Sequence, residues 1–215
     1  MIKISNLSVN QGQFSINDIN LEISNGEYCV LMGQSGCGKT TLMEAICGLR
    51  QQSSGKIVID GKDITSIAPA LRKIGYVPQD GALFPTMTAK DQISFPLILQ
   101  KKPQNEITET IDKLAKQLNI APILDRLPEN LSGGEKQRIA LARALAVNPL
   151  VMCFDEPLSA LDEELHTEMC ELLKKTVKER HLPCLHITHN RKEALAIADT
   201  VYKFTDRGIK KLDLK

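Results

Sequence analysis

The sequence predicts an α/β fold with a buried parallel sheet, and three stretches carry that prediction. An apolar, strand-like run, Tyr28-Cys29-Val30-Leu31-Met32, delivers the chain into a glycine turn, and the residues after the turn repeat as one helix face at Leu42, Ala45, Ile46 and Leu49. A second apolar run, Leu150 to Phe154, reads as a strand covered on both faces and ends in paired carboxylates, Asp155-Glu156. Between them, from 80 to 148, the helical period replaces strand alternation.

The glycine turn is Gly33-Gln34-Ser35-Gly36-Cys37-Gly38-Lys39-Thr40, with Thr41 behind it. It has the spacing of a phosphate-binding loop, two glycines four residues apart followed by Lys and a hydroxyl residue. Backbone N–H groups must close around a triphosphate, and side chains at Gly33, Gly36 and Gly38 would obstruct them. Lys39 supplies a point charge to the β- and γ-phosphates, and the Thr40 hydroxyl is placed to ligate Mg²⁺. Strand, glycine turn and helix together are the context this motif needs, so ATP with Mg²⁺ is the expected ligand.

Composition narrows the class further. The chain has 215 residues, 42% apolar and 25% charged, ordinary for a globular protein with a sizeable core. Its net charge is +1, and its lysines come as scattered pairs such as Lys101-Lys102 and Lys174-Lys175, so no nucleic acid partner is expected. The six cysteines show no C-x-x-C spacing and mostly sit in apolar segments, as buried thiols of a reducing compartment do. The N-terminus, Met1-Ile2-Lys3-Ile4-Ser5, reads as neither signal peptide nor anchor, and no apolar run approaches the roughly 20 residues of a bilayer span. If the protein works at a membrane, another chain must supply the span.

Short strands are expected first, at Ile2, Ile4 and Leu7 and again at Ile19, Leu21 and Ile23, with Asn25-Gly26 as a turn. Ile57 to Ile59 and Ile74 to Val77 read as further strands, the latter ending at Pro78-Gln79. Thr88 caps a short helix that Pro96 interrupts or ends. Ile107, Ile111, Leu114 and Leu118 mark an amphipathic helix, and Pro122 and Pro128 bound an irregular connection. Leu131-Ser132-Gly133-Gly134-Glu135-Lys136-Gln137-Arg138 opens the next helix with capping-box spacing between Ser132 and Glu135. On the residues alone this start reads equally as a plain cap or as N–H groups open to an anion.

Asp155 and Glu156 fall at a strand's C-terminal edge, where α/β sheets place ligands. Asp155 suits the Mg²⁺ shell, and Glu156 suits orienting and polarising the attacking water. Ser159 to Asp162 leads into a helix with Leu165, Met169, Leu172 and Leu173 on one face and a basic end that suits the helix dipole. Cys184 to Thr188 is the next strand, with His186 as a core or sheet residue. His189 follows it, either within reach of a γ-phosphate or simply past the strand. Val201 to Phe204 and Ile209 to Leu212, joined by Asp206-Arg207-Gly208, close the chain as a hairpin.

Taken together these residues resemble the nucleotide-binding subunit of an ABC transporter, over nearly the whole chain. The most specific element is Leu131 to Arg138, similar to the family signature with Glu135 where Gln is commoner. The glycine loop, Gln79 as Q-loop, Asp155-Glu156, Ser159 to Asp162 as D-loop and His189 as H-loop follow in the family's order. The resemblance implies a P-loop NTPase with a RecA-like core, an antiparallel β-subdomain and an inserted helical subdomain, with the core at 1–79 and 149–215 and the insertion at 80–148. It implies that Gln79 joins Thr40 and Asp155 around Mg²⁺ and joins Glu156, Lys39 and His189 in catalysis. It also implies a head-to-tail homodimer in which Ser132, Gly133, Gly134 and Asp162 contact nucleotide across the interface.

Other implied partners are transmembrane permease subunits and, through them, a solute-binding protein, with this subunit peripheral on the cytoplasmic face of the inner membrane. Leu83 to Thr88 with Phe95-Pro96-Leu97 is similar to importers of small ions and polyamines, and Leu127-Pro128-Glu129-Asn130 lacks the Gly-Glu-Arg-Gly pattern of many exporters. Importer relatives often continue past the position of Lys215 into a regulatory domain, so gating of that kind is not expected. Soluble members that assemble iron–sulfur clusters share the motifs, as do exporter subunits, and remain alternatives. The family usually places Tyr or Trp under adenine ahead of Asp18 to Leu21. Here the only aromatic between Val9 and Asn17 is Phe14, a few residues late for that role.

Overall fold

The computed structural model describes residues 1–12, 14–205 and 208–212. The chain begins with two long antiparallel strands, β1 (Ile2–Gln11) and β2 (Phe14–Ile23), followed by β3 (Tyr28–Met32). With β4 (Ser54–Ile59) and β5 (Lys62–Asp63), the first two form a four-stranded antiparallel sheet ordered β2-β1-β4-β5. The second sheet has six strands, adding β6 (Ile74–Val77), β7 (Val151–Asp155), β8 (Cys184–Ile187), β9 (Thr200–Thr205) and β10 (Gly208–Leu212) in the order β10-β9-β3-β8-β7-β6. All its pairings are parallel except β10 on β9. The hairpin expected from the sequence is therefore present, while Asp206-Arg207 in its turn lies outside the described residues.

Among the described residues six α-helices complete the fold: α1 (Lys39–Cys47), α2 (Ala89–Leu99), α3 (Gln104–Gln117), α4 (Gly133–Ala146), α5 (Glu163–Glu179) and α6 (Arg191–Ile197). Among the described residues, no helix is long and apolar enough to cross a membrane. The capping residues act as their types demand. Thr88 and Asp91 close a capping box on α2, Ser132 and Glu135 close one on α4, and Asp162 caps α5. Of the two expectations for Pro96, that it interrupts α2 or ends it, the second does not hold: the proline lies inside the helix, where it leaves one ladder hydrogen bond unmade. Buried Ile93 and Leu97 hold both sides of the proline against the core, and the Gln100 N–H closes the following turn on the Pro96 carbonyl at 3.2 Å.

The parallel strands divide their side chains between two cores, because alternate residues point to opposite faces. Cys29, Leu31, Val151, Cys153, Leu185 and Ile187 pack against α1 and the antiparallel sheet. Tyr28, Val30, Met152, Phe154 and Cys184 face the other way, against apolar residues of α2 to α6. Five cysteines are buried and Cys37 is half-buried, all as free thiols.

Two arginines, Arg72 buried and Arg143 half-buried, fasten the layers. Arg143 on α4 donates to the carbonyls of Gly81 at 2.7 Å and Ala82 at 2.8 Å, with its guanidinium 5.6 Å above the Phe84 ring. Arg72 donates to the carbonyls of Ala45, Ile46, Thr65 and Ile67, so it satisfies the C-terminal end of α1 and ties it to the segment before β6. Replacing Arg72 by Met would leave these carbonyls short of donors. Arg72→Met is expected to lose about 2–4 kcal/mol of stability, read as a lower urea midpoint at unchanged slope. Arg72→Lys should recover little, because a single ammonium lacks the fork that spans four carbonyls.

Candidate active site

Because β3, β7 and β8 run parallel, their C-terminal ends open on one edge of the sheet. That edge gathers the loop from Gly33, the Asp155-Glu156 pair and the Thr188-His189 step. Lys39 is only 5% exposed, and its Nζ donates to the Gly33 carbonyl at 3.0 Å and the Gln34 carbonyl at 2.8 Å. The lysine thus lies back along its own loop, with its charge held over the turn.

Thr40 Oγ1 donates to Asp155 Oδ1 at 3.3 Å. Burial drives the Asp155 carboxyl above the usual carboxylate range; the Thr40 hydrogen bond and Lys39 oppose the shift, and Glu156 and Glu44 add to it. A buried carboxylate beside a hydroxyl is a hard oxygen pair of the kind Mg²⁺ takes when phosphates and water supply its remaining ligands. Glu156 follows with a left-handed backbone, φ 46°, which turns the chain off the strand end. Its N–H donates to the Ile187 carbonyl at 2.9 Å, and its Oε2 accepts from His189 Nδ1 at 2.9 Å. Ser159 Oγ donates back to the Glu156 carbonyl at 3.0 Å.

A cleft of about 310 Å³ is lined by Phe14, Ser35, Gly36, Gly38, Lys39, Thr40, Thr41, Gln79 and Glu156. The structure therefore brings Gln79 and Glu156 to the phosphate loop as the sequence predicts. It also places Phe14 on the cleft wall, although Phe14 looked late in the sequence for a base platform. The first residue of β2 stands over the loop, so the strand supplies the reach that the sequence position did not suggest. A neighbouring cavity of about 490 Å³ includes Gly33, Gln34 and His189 in its wall, while Cys37 packs its sulfur toward Gly33. A cavity of similar size between α5 and α6 contains none of the predicted site residues.

Ser132, Gly133, Gly134 and Asp162 do not line the cleft. They meet at another place, where Gly133 approaches Leu161 and Gly134 approaches Leu165. Asp162 Oδ1 is engaged there as a cap, accepting from the Leu165 N–H at 3.0 Å. Glu193 was not singled out from the sequence. The Asn190-x-x-Glu193 spacing resembles a capping box, but the structure turns Glu193 into the interior.

A cassette built on a phosphate loop with these strand-end groups is the class that fold and site define, and comparison gives the family. The ABC transporter model matches residues 16–159. The molybdate/tungstate import ATP-binding protein WtpC of Methanocaldococcus jannaschii is 42% identical over 201 residues, covering 94% of this chain and 66% of the relative. The sulfate/thiosulfate import ATP-binding protein CysA of Nocardia farcinica is 42% identical over 202 residues, covering 94% and 61%. The chain thus spans about three-fifths to two-thirds of the length of these relatives. The dimeric, post-hydrolysis structure of the ATP-binding cassette MJ0796 bound to ADP and Pi is 28% identical, with a TM-score of 0.86 over 100% of this chain and 99% of that one. The chain belongs to the ABC transporter family.

Gly38 is constrained twice over. Its φ is 106°, and a Cβ there would stand 2.6 Å from Ile16 Cγ2 and 2.9 Å from Phe14 Cζ. Gly36 also has a left-handed φ, 79°, but a Cβ there meets nothing within 4 Å. Gly38→Ala should therefore cost about 2–4 kcal/mol, strain plus overpacking, against about 1–2 kcal/mol for Gly36→Ala. Urea unfolding of the two variants checks this, and equal losses would mean that packing against β2 does not limit the loop.

Proposed function

We propose that this chain is the ATP-binding and ATP-hydrolysing subunit of a membrane importer for a small solute. The observation that carries the reading is the Glu156–His189 contact of 2.9 Å beside the cleft that Lys39, Thr40 and Glu156 line, with Asp155 bonded to Thr40 behind it. In this reading, loop N–H groups and Lys39 hold the β- and γ-phosphates, and Phe14 offers the base its aromatic surface. Thr40, Asp155 and Gln79 supply oxygens for Mg²⁺, which neutralises phosphate charge. Glu156 accepts a hydrogen bond from the water that attacks the γ-phosphorus, and His189 fixes the carboxylate in the orientation this requires.

The exposed start of α4 favours a head-to-tail dimer. Ser132, Gly133 and Gly134 lie away from their own cleft at the positive end of a helix, where a partner's nucleotide would complete the site. The similar cassette MJ0796 forms a dimer. Import is supported by the names of the relatives, and docking on permease subunits by the surface from Gln79 to Phe95. Phe84 is 41% exposed there and packs edge-on against Phe95 at 5.3 Å. A peripheral position on the cytoplasmic face of the membrane follows from this assignment.

Glu156→Gln should keep ATP binding and lose turnover by about 10²–10⁴-fold, accumulating as an ATP-bound dimer. Steady-state hydrolysis and size-exclusion mass with ATP and Mg²⁺ read both effects; near-normal turnover would remove Glu156 from the mechanism. Composite sites make a second prediction. Lys39→Ala and Ser132→Arg proteins, each inactive alone, should regain part of the activity when mixed, because one site of the mixed dimer carries neither defect. No recovery while mixed dimers demonstrably form would count against shared sites.

A further inference from the structure

Behind His189 lies a buried polar cluster that the hydrolytic reading does not use. Glu193, near the start of α6, is only 4% exposed. Its Oε1 lies 2.7 Å from Nε2 of the fully buried His186. Its Oε2 accepts from Thr188 Oγ1 at 3.0 Å and from His166 Nε2 at 3.1 Å. Tyr28 Oη lies 2.8 Å from the far ring nitrogen of His186, Nδ1. One carboxylate thus gathers groups from β8, α5 and the turn into α6. Burial opposes its ionisation, but hydrogen bonds from His186, His166 and Thr188 outweigh that and hold its pKa below the ordinary glutamate value.

The direction of these bonds follows from donor accounting. An ionised carboxylate only accepts, so Thr188 gives its hydroxyl proton to Glu193 and keeps its oxygen lone pairs for another donor. That donor is the Asn190 N–H, 3.0 Å away. Asn190 Oδ1 then accepts from the N–H groups of Lys192 at 2.9 Å and Glu193 at 3.3 Å. Both neighbours of His189 are therefore tied to Glu193, one directly and one through Thr188. Among the described residues, the His189 ring itself is held by the Glu156 carboxylate alone.

We propose that Glu193 is a positioning residue of the hydrolytic site, acting through Thr188 and Asn190 to fix the backbone that aims His189 at Glu156. The inference rests on the assignment of Glu156 and His189 to ATP hydrolysis. A cluster that only held α5 and α6 to the sheet would need its partners satisfied just as well, but it would change stability without changing turnover. Bonds on both sides of one exposed histidine give the cluster its second effect.

The test measures kcat, KM for ATP and urea midpoint on the full chain for Glu193→Gln, Thr188→Val and Thr188→Ser, each alone and combined with His189→Ala. Glu193→Gln and Thr188→Val are expected to lower kcat about tenfold with KM within about twofold, and Thr188→Ser, which keeps the hydroxyl, should restore it. In the His189→Ala background the further loss should vanish, because the residue being positioned is gone. Thr188→Val carries the test if Glu193→Gln fails to fold. Lower midpoints with unchanged kcat, or losses that simply add to that of His189→Ala, overturn the inference alone. A wild-type kcat in His189→Ala itself overturns the hydrolytic reading on which it stands.

Discussion

Leu31, Ile187 and Asp155 lie in one row across β3, β8 and β7, each paired with its neighbour in parallel register. Everything beyond that row inherits its alignment. The glycine loop leaves β3 just past Leu31, Glu156 leaves β7 just past Asp155, and Thr188-His189 leave β8 just past Ile187. A slip of two residues keeps every side chain on its face but moves a strand end by about 6.6 Å. That is enough to separate His189 from Glu156 completely. The row is held by the core on one face of the sheet, since Leu31 and Ile187 are fully buried against α1 and the antiparallel sheet. Packing far from the cleft therefore sets distances within it.

The same edge accumulates groups that a fold chosen for stability alone would avoid. Asp155 is a buried carboxylate whose ionised form the interior disfavours, and Lys39 is a buried ammonium satisfied by loop carbonyls. Glu156 sits in a left-handed conformation uncommon for a residue with a side chain. Arg72 and Glu193 are the structural counterweights. Each is buried with several partners, and each braces an element that leads into the site. The chain thus braces the groups at this edge with buried charges that each have several partners.

Much of this was legible in the sequence because it rests on local rules. The glycine loop needs its spacing, a capping box needs Ser132 and Glu135 three apart, and a parallel strand such as Val151 to Phe154 needs a continuous apolar run. What was not legible depends on tertiary contact. Glu193 stands at capping-box spacing, and only the buried His186 and Thr188 decide that it turns inward. That Phe14 reaches the cleft was not legible, because position along a chain does not report which way a strand carries its first residue. Pro96 has the residue type of a helix end, yet buried neighbours on both sides outweighed one lost hydrogen bond. The resemblance already implied that Ser132 to Gly134 work away from their own cleft, and they do not line it.

Arg143 gives that separated helix a mechanical meaning. Its guanidinium grips the carbonyls of Gly81 and Ala82, two consecutive residues in left-handed conformations, and so joins the loop just after Gln79 to α4. The helix is rigid between Arg143 and its start at Ser132, a span of about 16 Å at 1.5 Å per residue. It behaves as a lever arm with the loop as its handle. A tilt of about 10° imposed at the handle swings the far end by nearly 3 Å, about the length of one hydrogen bond. In the proposed dimer, a displacement of that size at Ser132 would be the difference between a donor in contact with an anion and one that has let it go.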